Sequence, residues 1–338
     1  MERGAKKPTL RTIAEITGLA VTTVSRALAD APQIALDTRT RVRRVADEIG
    51  YLPDRAAQRL RTGRTNVISL ILDPHDEILG FSTSIIRGLT KILRETRYNL
   101  VITPHFAEVP TLEPVQHILK NRMADGMIFS RTEPFDPRVK LLLENDFPFV
   151  SHGRTDFVSA HPYVDYDNER FAITAAKRLI EKGRKKLAII LPPERFTFCQ
   201  HLRYGFMSVV RSEGVSFEIA EGVTLDSPAS DVFAWAQARF VKGDAPDGFV
   251  CAGEVSALAI LATAADNGLE IGRDIDIVSK STSDISQLFR PRIDQINEPL
   301  DEAGELMGRF LLRRIAGESV EKLQHTQLPE PRFMTFHS

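Results

Sequence analysis

From residue 9 to residue 52 the apolar positions recur at spacings of three and four, and no stretch alternates with period two. In TLRTIAEITGL, Leu10, Ile13, Ala14, Ile16 and Leu19 fall on one face of a helix. Thr9 stands at its N-cap position with Thr12 close behind, and Gly18 marks its end. The next stretch, GLAVTTVSRAL, predicts a second helix from about Val21 to Leu28. Leu19, Val24, Ala27 and Leu28 would form its narrow apolar seam, with Val21, Thr22, Ser25 and Arg26 facing out. Thr and Val are mediocre helix formers, an odd choice for a face that only meets water. DAPQIALDTR then breaks the period. A third helix starts near Asp37 or Thr38, buries Val42, Val45, Ala46 and Ile49, and ends at Gly50. Three short helices with a tight turn between the first two follow the helix-turn-helix plan. The segment PDRAAQRLRTGR reads as a linker: Pro53 stops the third helix, DRAAQRL has the length of two helical turns, and Gly63 frees the chain.

From Asn66 the pattern changes to strands alternating with amphipathic helices. VISLIL, NLVIT, GMIFS, PFVSH, KLAIIL, GFVCA and IDIVS are strand-length apolar runs. Between them lie SIIRGLTKILRETR, VQHILKNR, PRVKLLLEND, RFAITAAKRLIEKG, LRYGFMSVVRSEG, VFAWAQARFV and VSALAILATAADNG, each with a helical period. Such alternation implies parallel sheets covered by helices. The run is too long for one ordinary sheet, so two doubly wound subdomains are expected, with a ligand cleft where strand carboxyl ends converge.

Composition sharpens the division. Of 338 residues, 43% are hydrophobic and 26% charged, and the net charge is −1. Residues 1–64 hold 13 Lys and Arg against 7 Asp and Glu, whereas the remainder holds 31 against 38. A basic head on an acidic body points to an anionic partner for the head. Cys199 and Cys251 are the only cysteines, too few for a disulfide framework or a zinc spacing, which fits a reducing cytosol. No apolar run reaches the ~20 residues of a membrane span. Arg11 and Glu15 interrupt any secretory core near the start. The expectation is a cytoplasmic protein without a membrane partner. No HExxH, P-loop, GxGxxG or nucleophile elbow is present, and the eight histidines show no metal spacing. Neither a cofactor, a metal nor catalytic residues are therefore expected. A solute-binding protein would carry a signal peptide and no basic head, and a sugar-processing enzyme would carry a catalytic carboxylate cluster.

TLRTIAEITGLAVTTVSRAL followed by TRTRVRRVADEIGYLPDRAAQRLRTGRT resembles the DNA-binding head and hinge of the LacI–GalR family of bacterial transcription regulators. The resemblance continues through ADGMIF, VDYDN, GRKKLAII, the Arg203 before GF, DGFVCAGE and PRIDQINEP. It implies an all-α helix-turn-helix head (1–52), a hinge helix and linker (53–65) and an α/β periplasmic-binding-protein-like core (66–338). The core would consist of two doubly wound parallel-sheet subdomains, one of about 66–165 and 296–325, the other of about 166–295 and 326–338.

It further implies a repressor, homodimeric on a near-palindromic double-stranded operator, controlled by a small molecule, a sugar or glycoside, in the cleft. An activator or a co-repressor-dependent regulator is the alternative. Val21, Thr22, Arg26 and Gln33 become base-contact candidates: Arg26 can grip guanine with two bonds, and methyl groups suit thymine. Thr9, Thr23, Ser25, Thr38 and Tyr51 become phosphate contacts. Ala57 and Leu60 would enter the minor groove, Leu60 as an apolar wedge. Arg41 and Arg43 read as the solvated face of the third helix, with added non-specific affinity through counterion release as the other reading. For the effector, Phe81, His152, Arg154, Asp167, Arg203, Glu254 and Lys280 are the candidates. Asp167 and Asn168 can instead cap a helix, and Lys280 can pair with Glu254 or meet an anionic effector. Four departures stand out: Ala20 occupies the usual Ser N-cap of the second helix, Asp54 replaces a common Asn, and Gly253-Glu254 and Ser279-Lys280-Ser281 replace the usual effector-site residues. No leucine heptads follow the core, so no coiled-coil tail is expected.

Overall fold

The computed structural model describes residues 8–51, 63–73, 80–106 and 108–334. Ala57, Leu60 and Asp54 lie outside these residues. The chain divides into two compact units, Met1–Thr65 and Asn66–Ser338.

In the first unit, α1 (Leu10–Thr17), α2 (Val21–Leu28) and α3 (Leu36–Glu48) surround one small core. Ile13, Ala14, Val24, Ala27, Val42, Val45 and Ala46 are buried together, with Leu19, Leu28 and Tyr51 packed against them. Helix α1 starts in a reciprocal cap: the Thr12 backbone N–H donates to Thr9 Oγ1 at 3.4 Å, and the Thr9 N–H donates to Thr12 Oγ1 at 3.1 Å. Gly18, at φ 70°, ends α1 in the left-handed region, which lets α2 begin three residues later. Helix α2 has no side-chain cap at Ala20. The basic run of α3 is only partly a solvated face. Arg41 Nη2 donates to the Thr17 carbonyl at 2.9 Å, tying α3 to the end of α1, and Arg39 and Arg43 both pair with Asp30.

The second unit holds two six-stranded sheets. The first runs in the order β11 (Gln324–Gln327), β5 (Tyr163–Tyr166), β4 (Phe149–His152), β3 (Gly126–Phe129), β1 (Val67–Leu72), β2 (Asn99–Pro104), parallel throughout. The second runs β12 (Glu330–Arg332), β10 (Asp294–Asn297), β9 (Asp276–Ser281), β8 (Gly248–Cys251), β6 (Lys186–Ile190), β7 (Ser216–Ile219), with β12 alone antiparallel. Successive strand residues feed opposite layers, as period two requires. Ile68, Leu70, Ile128 and Val150 join the core under α4 (Phe81–Leu93) and α11 (Leu300–Ile315). Ile71, Met127, Phe129 and Phe149 join the opposite core with α5 (Leu112–Lys120) and α6 (Pro137–Glu144). The second sheet is covered by α7 (Asn168–Glu181), α8 (Thr197–Ser212), α9 (Ala229–Lys242) and α10 (Glu254–Asp266) around one core.

The chain passes between the sheets three times, after β5, after β10 and after β11. Helix α11 and strands β5, β7, β10, β11 and β12 are additional to the predicted alternation. Helix α11 packs so closely on α4 that a Cβ at Gly88 would stand 2.1 Å from the Asp301 carbonyl oxygen.

Candidate functional site

Two features bring polar chemistry together without an internal structural use. The first is the exposed face of α2. Val21, Thr22 and Arg26 are exposed on it, Ser25 is half-buried beside them, and Gln33 is exposed beyond its end. Positions 21, 22, 25 and 26 share one face by helical spacing. With no side-chain cap at Ala20, the first N–H groups of α2 are open to an outside acceptor. The other described arginines of the three helices are engaged internally: Arg11 with Glu15, Arg39 and Arg43 with Asp30, Arg41 with the Thr17 carbonyl, Arg44 with Glu48. Arg26 is the described arginine of the three helices with no such partner. Thr23, Thr38 and Tyr51 are half-buried at the margins of this surface, and the exposed Thr9 hydroxyl accepts in the α1 cap.

The second feature is a cavity between the two sheets of the core. From the first sheet come Phe81 at the start of α4, Ser130 to Thr132 after β3, His152 to Arg154 at the end of β4, and Asp165 in β5. From the second come Asn168, Thr197, Phe198, His201, Lys280 and Glu298. Every strand that contributes does so at or near its carboxyl end, the usual position for ligands in open parallel sheets. A backbone bond joins the two sides, from Thr197 N–H to the Thr132 carbonyl at 2.9 Å.

The charges in this cavity are paired. Lys280 is 4% exposed, and its Nζ lies 2.9 Å from Glu298 Oε2 and 2.6 Å from Asn168 Oδ1. It also sits 4.6 Å above the Tyr166 ring. Arg154 lies 3.1 Å from Asp165. The His152 ring meets Phe81 edge-on, with centroids 5.5 Å apart. Four buried side-chain atoms at this cavity carry no hydrogen bond, His152 Nε2, Asp165 Oδ2, Thr197 Oγ1 and His201 Nδ1, while others, such as Trp235 Nε1 and Gln327 Oε1, are scattered elsewhere. His152 Nε2 is 3.6 Å from Glu298, beyond hydrogen-bond reach, and the Arg154 contact to Asp165 is an ion pair without hydrogen-bond geometry. Unpaired buried polar atoms are rare in folded proteins, and four around one cavity mark a place where a ligand supplies the partners.

Burial lowers the affinity of both histidines for protons. For His152 the nearby Lys280 adds to this while Glu298 opposes it, and for His201 the Arg154 charge adds to it. Burial pushes Asp165 the other way, to about 6, against the pull of Arg154. The sign of the consequence follows. The folded pKa exceeds the ordinary value of 3.8, so the Asp165 contribution to stability is full below 3.8 and lost as pH rises through about 6. Compared with Asp165→Asn, the native chain is expected to be favoured by about 1 kcal/mol more at pH 5 than at pH 7.5. Urea denaturation of both at the two pH values measures this, and a pH-independent difference refutes it.

Of the residues expected at an effector, Phe81, His152, Arg154 and Lys280 line the cavity. Asp167, Arg203 and Glu254 do not, and each has a physical reason. Asp167 caps α7, its Oδ1 accepting from the Arg170 N–H at 2.9 Å. Arg203 follows His201 by two residues, about 200° around the helix, and reaches out to Glu194 at 2.7 Å. Glu254 is fully buried and accepts from the Thr282 N–H at 2.6 Å, the Thr282 hydroxyl at 2.8 Å and the Ser283 N–H at 3.1 Å. It holds the loop after β9, and Lys280 pairs with Glu298 rather than with it. Among the described residues no group of three His, Cys, Asp or Glu stands in metal-binding geometry. No helix among them is long and apolar enough to cross a membrane.

Comparison with known proteins agrees on both halves of the chain. Residues 9–54 match the family described as bacterial regulatory proteins, lacI family, and residues 176–335 match a periplasmic binding protein-like domain. The HTH-type transcriptional regulator AglR of Rhizobium meliloti (strain 1021) is 31% identical over 288 residues, covering 83% of this chain and 79% of that protein. Among solved structures, the lac repressor dimer bound to operator and the anti-inducer ONPF superposes with a TM-score of 0.81 at 19% identity, over 96% of this chain and 98% of that one. The transcriptional regulator CelR–cellobiose complex superposes with a TM-score of 0.69 at 24% identity, over 96% and 98%.

Proposed function

This chain belongs to the lacI family of bacterial regulatory proteins and is a helix-turn-helix transcriptional regulator with a ligand-binding core, and from that premise we propose that it is a sugar-responsive repressor. In this reading it acts in the cytoplasm, without enzymatic turnover, as a homodimer on a near-palindromic operator. Val21, Thr22, Arg26 and Gln33 read bases, and Thr23, Ser25, Thr38 and Tyr51 meet phosphates. Thr9, whose exposed hydroxyl accepts in the α1 cap and keeps its O–H to donate, meets phosphate with them. Leu60, with Ala57, is assigned to the minor groove at the operator centre.

The four atoms in the cavity that lack a hydrogen bond carry the effector reading. They offer two imidazoles, a carboxylate and a hydroxyl, a set that exchanges several hydrogen bonds with a polyhydroxylated molecule. Phe81 and Phe198 supply apolar faces beside them. The two cations are already neutralised by Glu298 and Asp165, which favours a neutral sugar over a sugar acid. Occupation by sugar then biases the relative placement of the two sheets, and operator affinity follows only if the ligand binds the two arrangements unequally.

The test pairs two measurements on the full chain. A fragment containing the promoter upstream of its own gene should be retarded in a gel at moderate salt. A thermal-shift screen of neutral sugars and sugar acids should yield a neutral sugar that raises the melting temperature and releases the fragment. Failure to retard DNA sinks the regulator's operator reading. A sugar acid as the best hit sinks the neutral-ligand reading.

A further inference from the structure

Arg131 stands where the two halves of the core meet away from their chain crossings. The crossings border the inner cavity through Asn168, just after β5, and Glu298, just after β10. At Arg131 the cavity instead borders a second space, on the side of Asp73, His105 and Asp226, and Arg131 lines both. Its guanidinium pairs with Asp226 of the second-sheet half and stacks 4.3 Å over the Phe196 ring of the same half. On its own half it lies 3.8 Å from Asp73. The side chain is 12% exposed, so water and salt screen these charges weakly.

Both sides of this bridge are braced. Arg138, itself buried, donates from Nη2 to the carbonyls of Ser130 at 3.1 Å and Arg131 at 3.0 Å, which fixes the backbone beneath the guanidinium. That backbone occupies the left-handed region at φ 58°, unusual for a residue with a Cβ and maintained where neighbours over-determine it. Asp73 is held in turn by His105 Nδ1. On the other side, the turn that presents Asp226 is closed by the Ser227 N–H to the Thr224 carbonyl at 3.0 Å. The Leu225 N–H ties that turn to the Leu191 carbonyl, just past β6, at 3.0 Å. Beside the bridge lies the backbone bond from the Thr197 N–H to the Thr132 carbonyl. With both posts fixed, parting of the halves here has to break the Arg131 contacts and this amide bond. The inner cavity has a volume of about 60 Å³, whereas small-molecule sites usually span about 300–1,000 Å³. A ligand larger than a few waters therefore fills it only after the halves have parted.

We propose that the Arg131–Asp226 ion pair is the gate of the inner cavity: it holds the two halves together beside the cavity, and its opening is the step that admits and releases the effector. The inference rests on the ligand reading of the cavity, but the gate is readable without any sugar. An ion pair between braced posts is either made or parted, with no graded series between. Entry and exit use the same opening, so weakening the pair speeds both.

The experiment uses the full chain and two reporters of the opening. The first is deuterium exchange at the Thr197 amide, resolved by fragmentation mass spectrometry, with the Val250 amide in β8 as the reference for the core. The second is carbethoxylation of His152 by diethyl pyrocarbonate, with the exposed His117 as its reference. His152 lines the cavity with a buried Nε2, and burial lowers its pKa, so at pH 7.5 it is in the neutral form that the reagent attacks. Asp226→Asn removes the carboxylate charge at nearly equal size. Arg131→Asn removes the guanidinium with a residue that tolerates the left-handed backbone. Each variant is expected to speed Thr197 exchange at least tenfold and His152 modification at least fivefold, with both references within twofold of their native rates. Unaltered Thr197 and His152 rates in both variants overturn the gate and leave the sugar reading standing. Acceleration of Val250 to the same extent as Thr197 also overturns it, because the pair then supports the whole fold rather than one opening. Both reporters accelerated, in a protein that no sugar stabilises, uphold the gate and sink the sugar reading.

Discussion

Lys280→Met is expected to lower the stability of the core by about 3–5 kcal/mol at pH 7.5 and by clearly less at pH 5.5. The ammonium group sits 2.9 Å from Glu298 and 2.6 Å from the Asn168 side-chain oxygen, in a strand buried on both faces. Methionine replaces the stem of the lysine but not its charge, so the Glu298 carboxylate is left buried with no full counter-ion. Removing one partner of a buried pair is the damaging case, whereas replacing both can be nearly neutral. The pH dependence comes from His152, whose Nε2 is 3.6 Å from the same carboxylate. In the native chain Lys280 helps hold the His152 pKa down while Glu298 pulls it up. Without Lys280 burial still holds the His152 pKa down, but Glu298 now pulls it up with no neighbouring ammonium opposing, so His152 protonates more readily beside that carboxylate than in the native chain. That compensation is present at low pH and lost as pH rises through the new His152 pKa. Urea denaturation of Lys280→Met and of Lys280→Met with Glu298→Gln checks both parts. A loss under about 1 kcal/mol, or a double variant no more stable than the single one, would show that Lys280 does not hold a buried charge.

The alternation of strands and helices in the body is largely legible because burial imposes a period, and periods survive in a single sequence, whereas the strand order is not. The head helices begin and end at Thr9, Gly18 and Ala20, whose capping chemistry is local. Legibility fails where partners are distant in sequence. Short strands such as Ser216–Ile219 and Glu330–Arg332 have little apolar run of their own and exist because a neighbour offers an edge. Helix α11 carries a helical period after Leu300, yet its place against α4 depends on glycines 88 and 304 more than two hundred residues apart.

The cavity divides the same way. His152, Arg154 and Lys280 stood out because a polar residue at the end of an apolar strand has few structural uses. Asp165, inside the strand YVDY, carries a comparable signal, a carboxylate at a buried position in a strand. Thr197 and His201, one helical turn apart, become legible only once the start of α8 is known to face the cleft. Arg203 shows the converse case, a candidate that stands outside the cavity lining. A resemblance places a residue type near a site, but one position of slip along a helix turns the side chain by about 100°. The structural role of Glu254 is not legible because its partners, the Thr282 and Ser283 amides, arrive from another segment of the chain.

Arg26→Ala is expected to weaken specific operator binding by about 1–3 kcal/mol, roughly 5- to 150-fold, while non-specific binding falls much less. The reason lies in how the head distributes its arginines. Arg39, Arg41 and Arg43 support the head itself through Asp30 and the Thr17 carbonyl, so their loss registers first as lost stability. Arg26 is exposed, four residues beyond Thr22 on the same face of α2, and spends its fork on no described neighbour. A guanidinium in that state reaches a guanine edge without first breaking an internal bond, so little of its interaction is offset. A base contact and a phosphate contact also separate by salt. Removing a phosphate contact reduces the salt slope by about one and weakens all sequences alike, whereas removing a base contact leaves the slope nearly intact and equalises the base it read. Titrations of the operator, of the operator with one symmetric base pair exchanged, and of unrelated DNA at several salt concentrations distinguish the two. Equal losses on operator and unrelated DNA, with a smaller slope, would reassign Arg26 to the backbone and leave Val21, Thr22 and Gln33 to carry recognition.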